Sequence, residues 1–96
     1  MENQIFTNQD FRIKLNTEID ISAMTTLEIH FRKPNKKALY KRTATLSGTD
    51  YLYCDISAAD NNVPGDWKFR AYVESAGGKV YKGSYAVLTI LKDWQI

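Results

Sequence analysis

A single cysteine, a single histidine, two prolines and the lack of any long apolar run narrow the field before a pattern is read. Cys54 alone cannot form an internal disulfide, which leaves stability to the hydrophobic core. One cysteine and one histidine cannot supply the four ligands of a structural zinc site. A nucleophile–histidine–acid enzyme needs a histidine turned by a carboxylate toward Ser, Thr or Cys, and only His30 is on offer. The opening "MENQIFTNQDFRIK" sets Glu, Asn, Gln and Asp where a signal peptide or membrane span needs uninterrupted apolar residues. We therefore expect a chain made and kept in the cytoplasm, or in something assembled there. Charge of neither sign dominates, since 13 basic and 11 acidic residues leave +2, so any electrostatic signal must be local. No repeat, low-complexity tract or linker interrupts the chain, and 96 residues suit one domain spanning 1–96.

What is present is period-two alternation. "FRIKLN" sets Phe11, Ile13 and Leu15 against Arg12, Lys14 and Asn16, and "TLEIHFRK" sets Leu27, Ile29 and Phe31 against Glu28, His30 and Arg32. His30 therefore reads as a surface residue on a polar row. Pro34 and Asn35 end that strand. "KKALYKRTATL" returns as a strand over 38–46 whose inward face stays open, because Tyr40, Ala44 and Leu46 compete with Leu39 and the threonines. "YLYCDI" buries Leu52, Cys54 and Ile56, which makes Cys54 a small buried hydrophobe rather than a nucleophile. "SAAD" is long enough for one helical turn capped by Ser57, a common crossing between two sheets. "DWKFRAYV" points Trp67, Phe69, Ala71 and Val73 inward and Lys68, Arg70, Tyr72 and Glu74 outward. Gly77 and Gly78 supply a hairpin turn, and Gly83 marks a bulge in the returning strand that carries Ala86, Leu88 and Ile90. With "QIFT" the count is about seven strands, as in an immunoglobulin-like antiparallel β-sandwich, with helix content near nil.

The candidate sites are few. "DNNVPGDW" puts Asp60, Asn62 and Gly65 at the first, third and sixth positions of an EF-hand loop, but Pro64 and Ala71 stand where oxygen ligands belong, so Asx turns explain the stretch better. No metal, cofactor or catalytic residue is implied. From Arg32 to Arg42, "RKPNKKALYKR" holds Arg32, Lys33, Lys36, Lys37, Lys41 and Arg42 and no acid. On a hairpin these cations could form a basic lobe for a phosphate backbone or another polyanion, or simply deter edge-to-edge pairing, and the second reading is favoured. Exposed tyrosines at Tyr40, Tyr51, Tyr53, Tyr72, Tyr81 and Tyr85 suit cross-strand pairs, protein interfaces and sugar stacking alike. In the terminal "KDWQI", Trp94 and Ile96 lie beyond the last core strand and are candidate interface anchors, unless they fold back on the sandwich.

The order of several short pieces resembles small immunoglobulin-like proteins of tailed bacteriophages and the N-terminal sandwich domain of phage baseplate upper proteins. The pieces are Asp20 to Ser22, a strand ending in Lys33-Pro34, "GTDYLYC" from Gly48 to Cys54, the Pro64 to Glu74 strand with its Pro-Gly-x-Trp start, and the "YKG" return at Tyr81 to Gly83. Similar domains carry a Gly in the turn after Lys-Pro, where this chain has Asn35, Lys36 and Lys37. The resemblance implies a non-enzymatic virion structural or assembly protein of the tail, baseplate or connector. Its partners would be other virion proteins or copies of itself, with no membrane involved. It also implies that Trp67 anchors the core and that Gly83 allows a bend. The end at Ile96 leads us to expect a small component rather than a receptor-binding fibre. The alternative is a binding module for cell-surface glycans or anionic polymers such as nucleic acid, and a small inhibitor docking on a host protein is a third reading.

Overall fold

The computed structural model describes residues 5–34 and 37–92, and within them the chain is all-β and sandwich-like. Nine strands occur in these residues: β1 (Ile5–Phe6), β2 (Phe11–Asn16), β3 (Thr26–Arg32), β4 (Tyr40–Thr43), β5 (Thr45–Ser47), β6 (Tyr51–Ile56), β7 (Gly65–Glu74), β8 (Val80–Lys82) and β9 (Ala86–Leu91). The larger sheet runs β1-β9-β7-β3-β4, with β8 also on β7, and the smaller one runs β2-β6-β5.

Nine rather than about seven strands arise because two expected strands are each cut in two. The 38–46 strand changes sheets at buried Ala44, whose N–H donates to Leu27 O at 2.8 Å, so β4 belongs to the larger sheet and β5 to the smaller. Tyr40, Ala44 and Leu46 take the inward positions and Leu39 is exposed, which resolves the open face of that strand. The returning strand is cut at Gly83. β7 pairs Tyr72 with Lys82 but Phe69 with Ala86, so three residues oppose two, as in a bulge, and Gly83 N–H donates to Ala71 O at 3.0 Å. One pairing departs from the antiparallel expectation: β1 runs parallel to β9. Asn61, fully buried, fixes this N-terminal segment by donating from Nδ2 to Phe6 O at 2.7 Å and Gln9 O at 2.9 Å.

The turns follow the local chemistry. Ser57 accepts from the Asn61 N–H at its carbonyl (3.0 Å) and from the Asp60 N–H at its hydroxyl (3.3 Å), the single capped turn that carries the chain from the smaller sheet to the larger. Gly78 turns the β7–β8 hairpin with φ of 83°. Inside, Trp67 is fully buried, donates from Nε1 to Val63 O at 2.8 Å, stacks on Phe31 at 5.7 Å and meets the edge of Phe11 at 6.0 Å. Phe69, Ile29, Leu52, Ile56 and Val73 complete the centre, with Leu88 half-buried at its margin. Trp67 thus holds the anchoring position expected of it near the start of its strand.

The two dipeptides of the sequence pattern meet in space. Gly65 has φ of 123°, and a Cβ added there would lie 2.8 Å from Cγ of Pro34, so Pro34 packs directly against Gly65.

Candidate interaction surface

Strand alternation sorts the basic stretch into two groups rather than one lobe. Ile29, Phe31 and Lys33 form a single inward row, and Tyr40 and Arg42 form another. Lys33, expected among exposed cations, is buried. Its Nζ donates to Asn62 Oδ1 at 3.1 Å and lies over the rings of Tyr40 (4.9 Å) and Trp67 (5.4 Å), which take the place of water around the ammonium. Arg42 likewise points inward, with its Cζ 5.5 Å from the Phe31 ring centre and Nη2 bonded to Asp60 Oδ2 at 2.6 Å. The Arg42 guanidinium, through that hydrogen bond first, holds the Asp60 carboxyl below the usual aspartate range. Arg32, Lys37 and Lys41 stay exposed. Lys36 lies outside the described residues, as do Trp94 and Ile96.

His30 is not the surface residue its polar row suggested. Tyr72 stacks on it at 4.6 Å between ring centres, and Nε2 lies 2.9 Å from Glu28 Oε1, so neighbours on the same sheet face bury it. Burial, with Glu74 adding to it, raises the Tyr72 hydroxyl above its ordinary pKa, in keeping with its donation to Glu74 Oε1 at 3.2 Å. Cys54 is buried too, and that burial pushes its thiol up to about 11, against a small opposing pull from Arg42. The two side chains best suited to nucleophilic chemistry are therefore on opposite sides of the larger sheet, His30 on its outward face and Cys54 in the core, and both are buried.

Two cations that the basic stretch does not contain complete a surface patch. β3 pairs with β7 so that Arg32 lies across from Lys68 and His30 across from Arg70, while β4 places Lys41 on the other side of His30. Lys68 and Arg70 already stood on an outward row of the sequence, but no sequence signal set that row beside β3. Arg70 is held in place: Nε donates to Gly83 O at 3.1 Å and the guanidinium lies over Tyr85 at 4.4 Å. Beside these charges Val87 is 59% exposed and Tyr85 50%, and at the far end of the same face Val80, across from Glu74, is 49% exposed. The outer face of the smaller sheet differs. There Arg12 lies over Tyr53 at 4.3 Å and Lys14 over Tyr51 at 4.9 Å, and Arg12 pairs with Asp55 at 2.8 Å.

Among the described residues no helix is long and apolar enough to cross a membrane. No family model matches the chain, and no curated protein matches it. Among solved structures, a "putative glycoside hydrolase" from Bacteroides vulgatus ATCC 8482 is similar in fold, with a TM-score of 0.59 at 10% sequence identity. The likeness covers 98% of this chain and 17% of that one, so this chain spans a small part of that protein's length, and at such identity what is shared is the fold.

Proposed function

We propose that the chain is a non-enzymatic assembly module of a bacteriophage particle, acting in the tail, baseplate or connector through protein–protein contacts. The observation that carries this reading is the outer face of the larger sheet, where Arg32, Lys41, Lys68 and Arg70 adjoin exposed Tyr85 and Val87. Arginine and tyrosine beside apolar side chains are the composition that interface centres favour. The phage setting rests on the resemblance of the Lys33-Pro34 and Pro64-Gly65 pieces and their order along the chain. On this reading the protein belongs to the virion and is assembled in the host cytoplasm. Mass spectrometry of purified particles tests it: the protein should be present in a fixed number of copies per particle, and its absence from particles would end the reading.

A second reading is supported by the smaller sheet. Tyr51 and Tyr53 stand side by side on its outer face with Arg12 and Lys14 over them, a surface that could stack on sugar rings or bind an anionic polymer. Calorimetric titration with surface glycans should then show saturable binding that Tyr53→Ala abolishes.

A further inference from the structure

The register of the larger sheet lays its outward side chains out in four cross-strand rows, with the hydrogen-bonded pair Asp66 and Thr89 beyond the first. The first holds Arg32, Lys68 and Val87, the second Lys41, His30 and Arg70, the third Thr43, Glu28, Tyr72 and Lys82, and the fourth Thr26, Glu74 and Val80. Cations crowd one end. Arg32 faces Lys68 directly, and Lys41 and Arg70 flank His30, neighbours that disfavour one another in an isolated sheet. Among the described residues no ion pair involves any of these four cations. The carboxylates Glu28 and Glu74 sit with Lys82 at the other end of the same face, Asp66 lies beyond the cations with Oδ1 accepting from the Thr89 hydroxyl, and exposed Val87 and Val80 stand in the first and fourth rows.

We propose that this face is an isologous interface with a second copy of the chain. A two-fold axis lying in the face, across the strands and midway between the second and third rows, stacks β7 on β7 and β3 on β3. Lys68 then meets the second copy's Glu74, and Arg70 meets Tyr72, whose ring covers His30. Arg32 and Lys41 meet Thr26 and Thr43, and Val87 meets Val80. In none of these pairs does like charge face like charge, and each is repeated by symmetry, while Lys82 comes opposite the stretch from Gly83 to Tyr85 rather than a carboxylate. A polyanion would answer the cations but would be repelled by Glu28 and Glu74 and leave the valines uncovered, so a second copy fits the whole face better. This inference rests on the assembly reading above and names one partner within it.

The patch is modest. Four strands about 4.8 Å apart and six residues of rise at about 3.4 Å give a surface roughly 20 Å on a side. That is below the ~800 Å² per partner of a standard interface, so dimerisation should be reversible at laboratory concentrations.

Analytical ultracentrifugation of the full chain is the test. The expected result is a concentration-dependent dimer. Lys68→Glu or Glu74→Lys alone should raise its dissociation constant about tenfold or more, because each reversal sets like charges together at two related contacts. The double variant Lys68→Glu/Glu74→Lys should return to within about threefold of the original, and an unchanged thermal melt should show that each variant is folded. A chain that stays monomeric to about 1 mM, a dimer indifferent to the single reversals, or a double variant that does not recover would each overturn the proposal. A monomer that is nonetheless present in particles would remove the dimer and leave the assembly reading in place, whereas a charge-swappable dimer absent from particles would do the reverse.

Discussion

Gly65→Ala sets two opposing effects against each other at one position. Replacing glycine shrinks the unfolded ensemble, which by itself stabilises by about 0.4–1 kcal/mol. Against this, φ of 123° is a conformation that L-residues rarely adopt, at a cost of about 1–3 kcal/mol. The new methyl would also lie 2.8 Å from Cγ and 3.1 Å from Cβ of Pro34, a ring with little freedom to move aside. Overpacking of that kind costs about 1–3 kcal/mol. The net expectation is a loss of about 2–4 kcal/mol, a large share of the ~5–15 kcal/mol that holds a domain together. Urea unfolding followed by tryptophan fluorescence should show the midpoint falling with little change in slope. Gly48→Ala is the control, because Gly48 has φ of 68° but open space around it. It should lose only the backbone cost of about 1–2 kcal/mol less the same unfolded-state gain, a net of about 1 kcal/mol or less. Pro34→Ala introduced with Gly65→Ala should recover part of the loss as a coupling energy. If Gly65→Ala were no worse than Gly48→Ala, the contact between the two motif pieces would carry no weight and the reasoning would fail.

Trp67→Ala should cost about 3–5 kcal/mol, since the ring is fully buried among Phe11, Phe31 and Phe69, and a loss under 1 kcal/mol by the same assay would contradict its place in the core. Asp60→Asn removes the partner of Arg42, and after solvent screening the loss at pH 7 should be about 1 kcal/mol or less. Because pairing lowers the folded-state pKa of Asp60, its stabilisation is present above the unfolded value near 4 and is lost as pH falls through the folded one, so wild type and variant should converge once pH lies below the folded value. A gap that persists there would point to something other than the charge. Cys54, raised to about 11 by burial, should resist a disulfide reagent at pH 8 in the native protein and react at once in denaturant, and rapid native labelling would contradict its burial.

Alternation made most of the fold legible. The rows of β2, β3, β6 and β7 lie where the sequence sets them, since each strand has one face against a core that only apolar side chains fill well. The break at Gly83 was legible, but the other was not. Ala44 stands between β4 and β5 with no turn residue beside it, so nothing local announces that the chain changes sheets there. Arg42 at an inward position also blurred the pattern of that segment. Lys33 and Arg42 escaped because inward cations are rare, and they are tolerated here only through partners brought from elsewhere in the chain: Asn62, Asp60 and the rings of Trp67 and Phe31. His30 was placed on the correct row, but its burial depends on Tyr72 from another strand. The interaction surface was the least legible of all. Its outward residues can be read along β3 and β7 separately, yet the charge pattern exists only once register sets Arg32 beside Lys68.

The central claim is that the outer face of the larger sheet is the working surface of an assembly module. Lysine footprinting compares that face with its opposite directly, by measuring the acylation rate of each lysine in the isolated chain and in the assembled particle. The account predicts that Lys41, Lys68 and Lys82 on the larger sheet become several-fold slower on assembly while Lys14, on the outer face of the smaller sheet, keeps its rate. Protection of Lys14 with Lys41, Lys68 and Lys82 unchanged would contradict it.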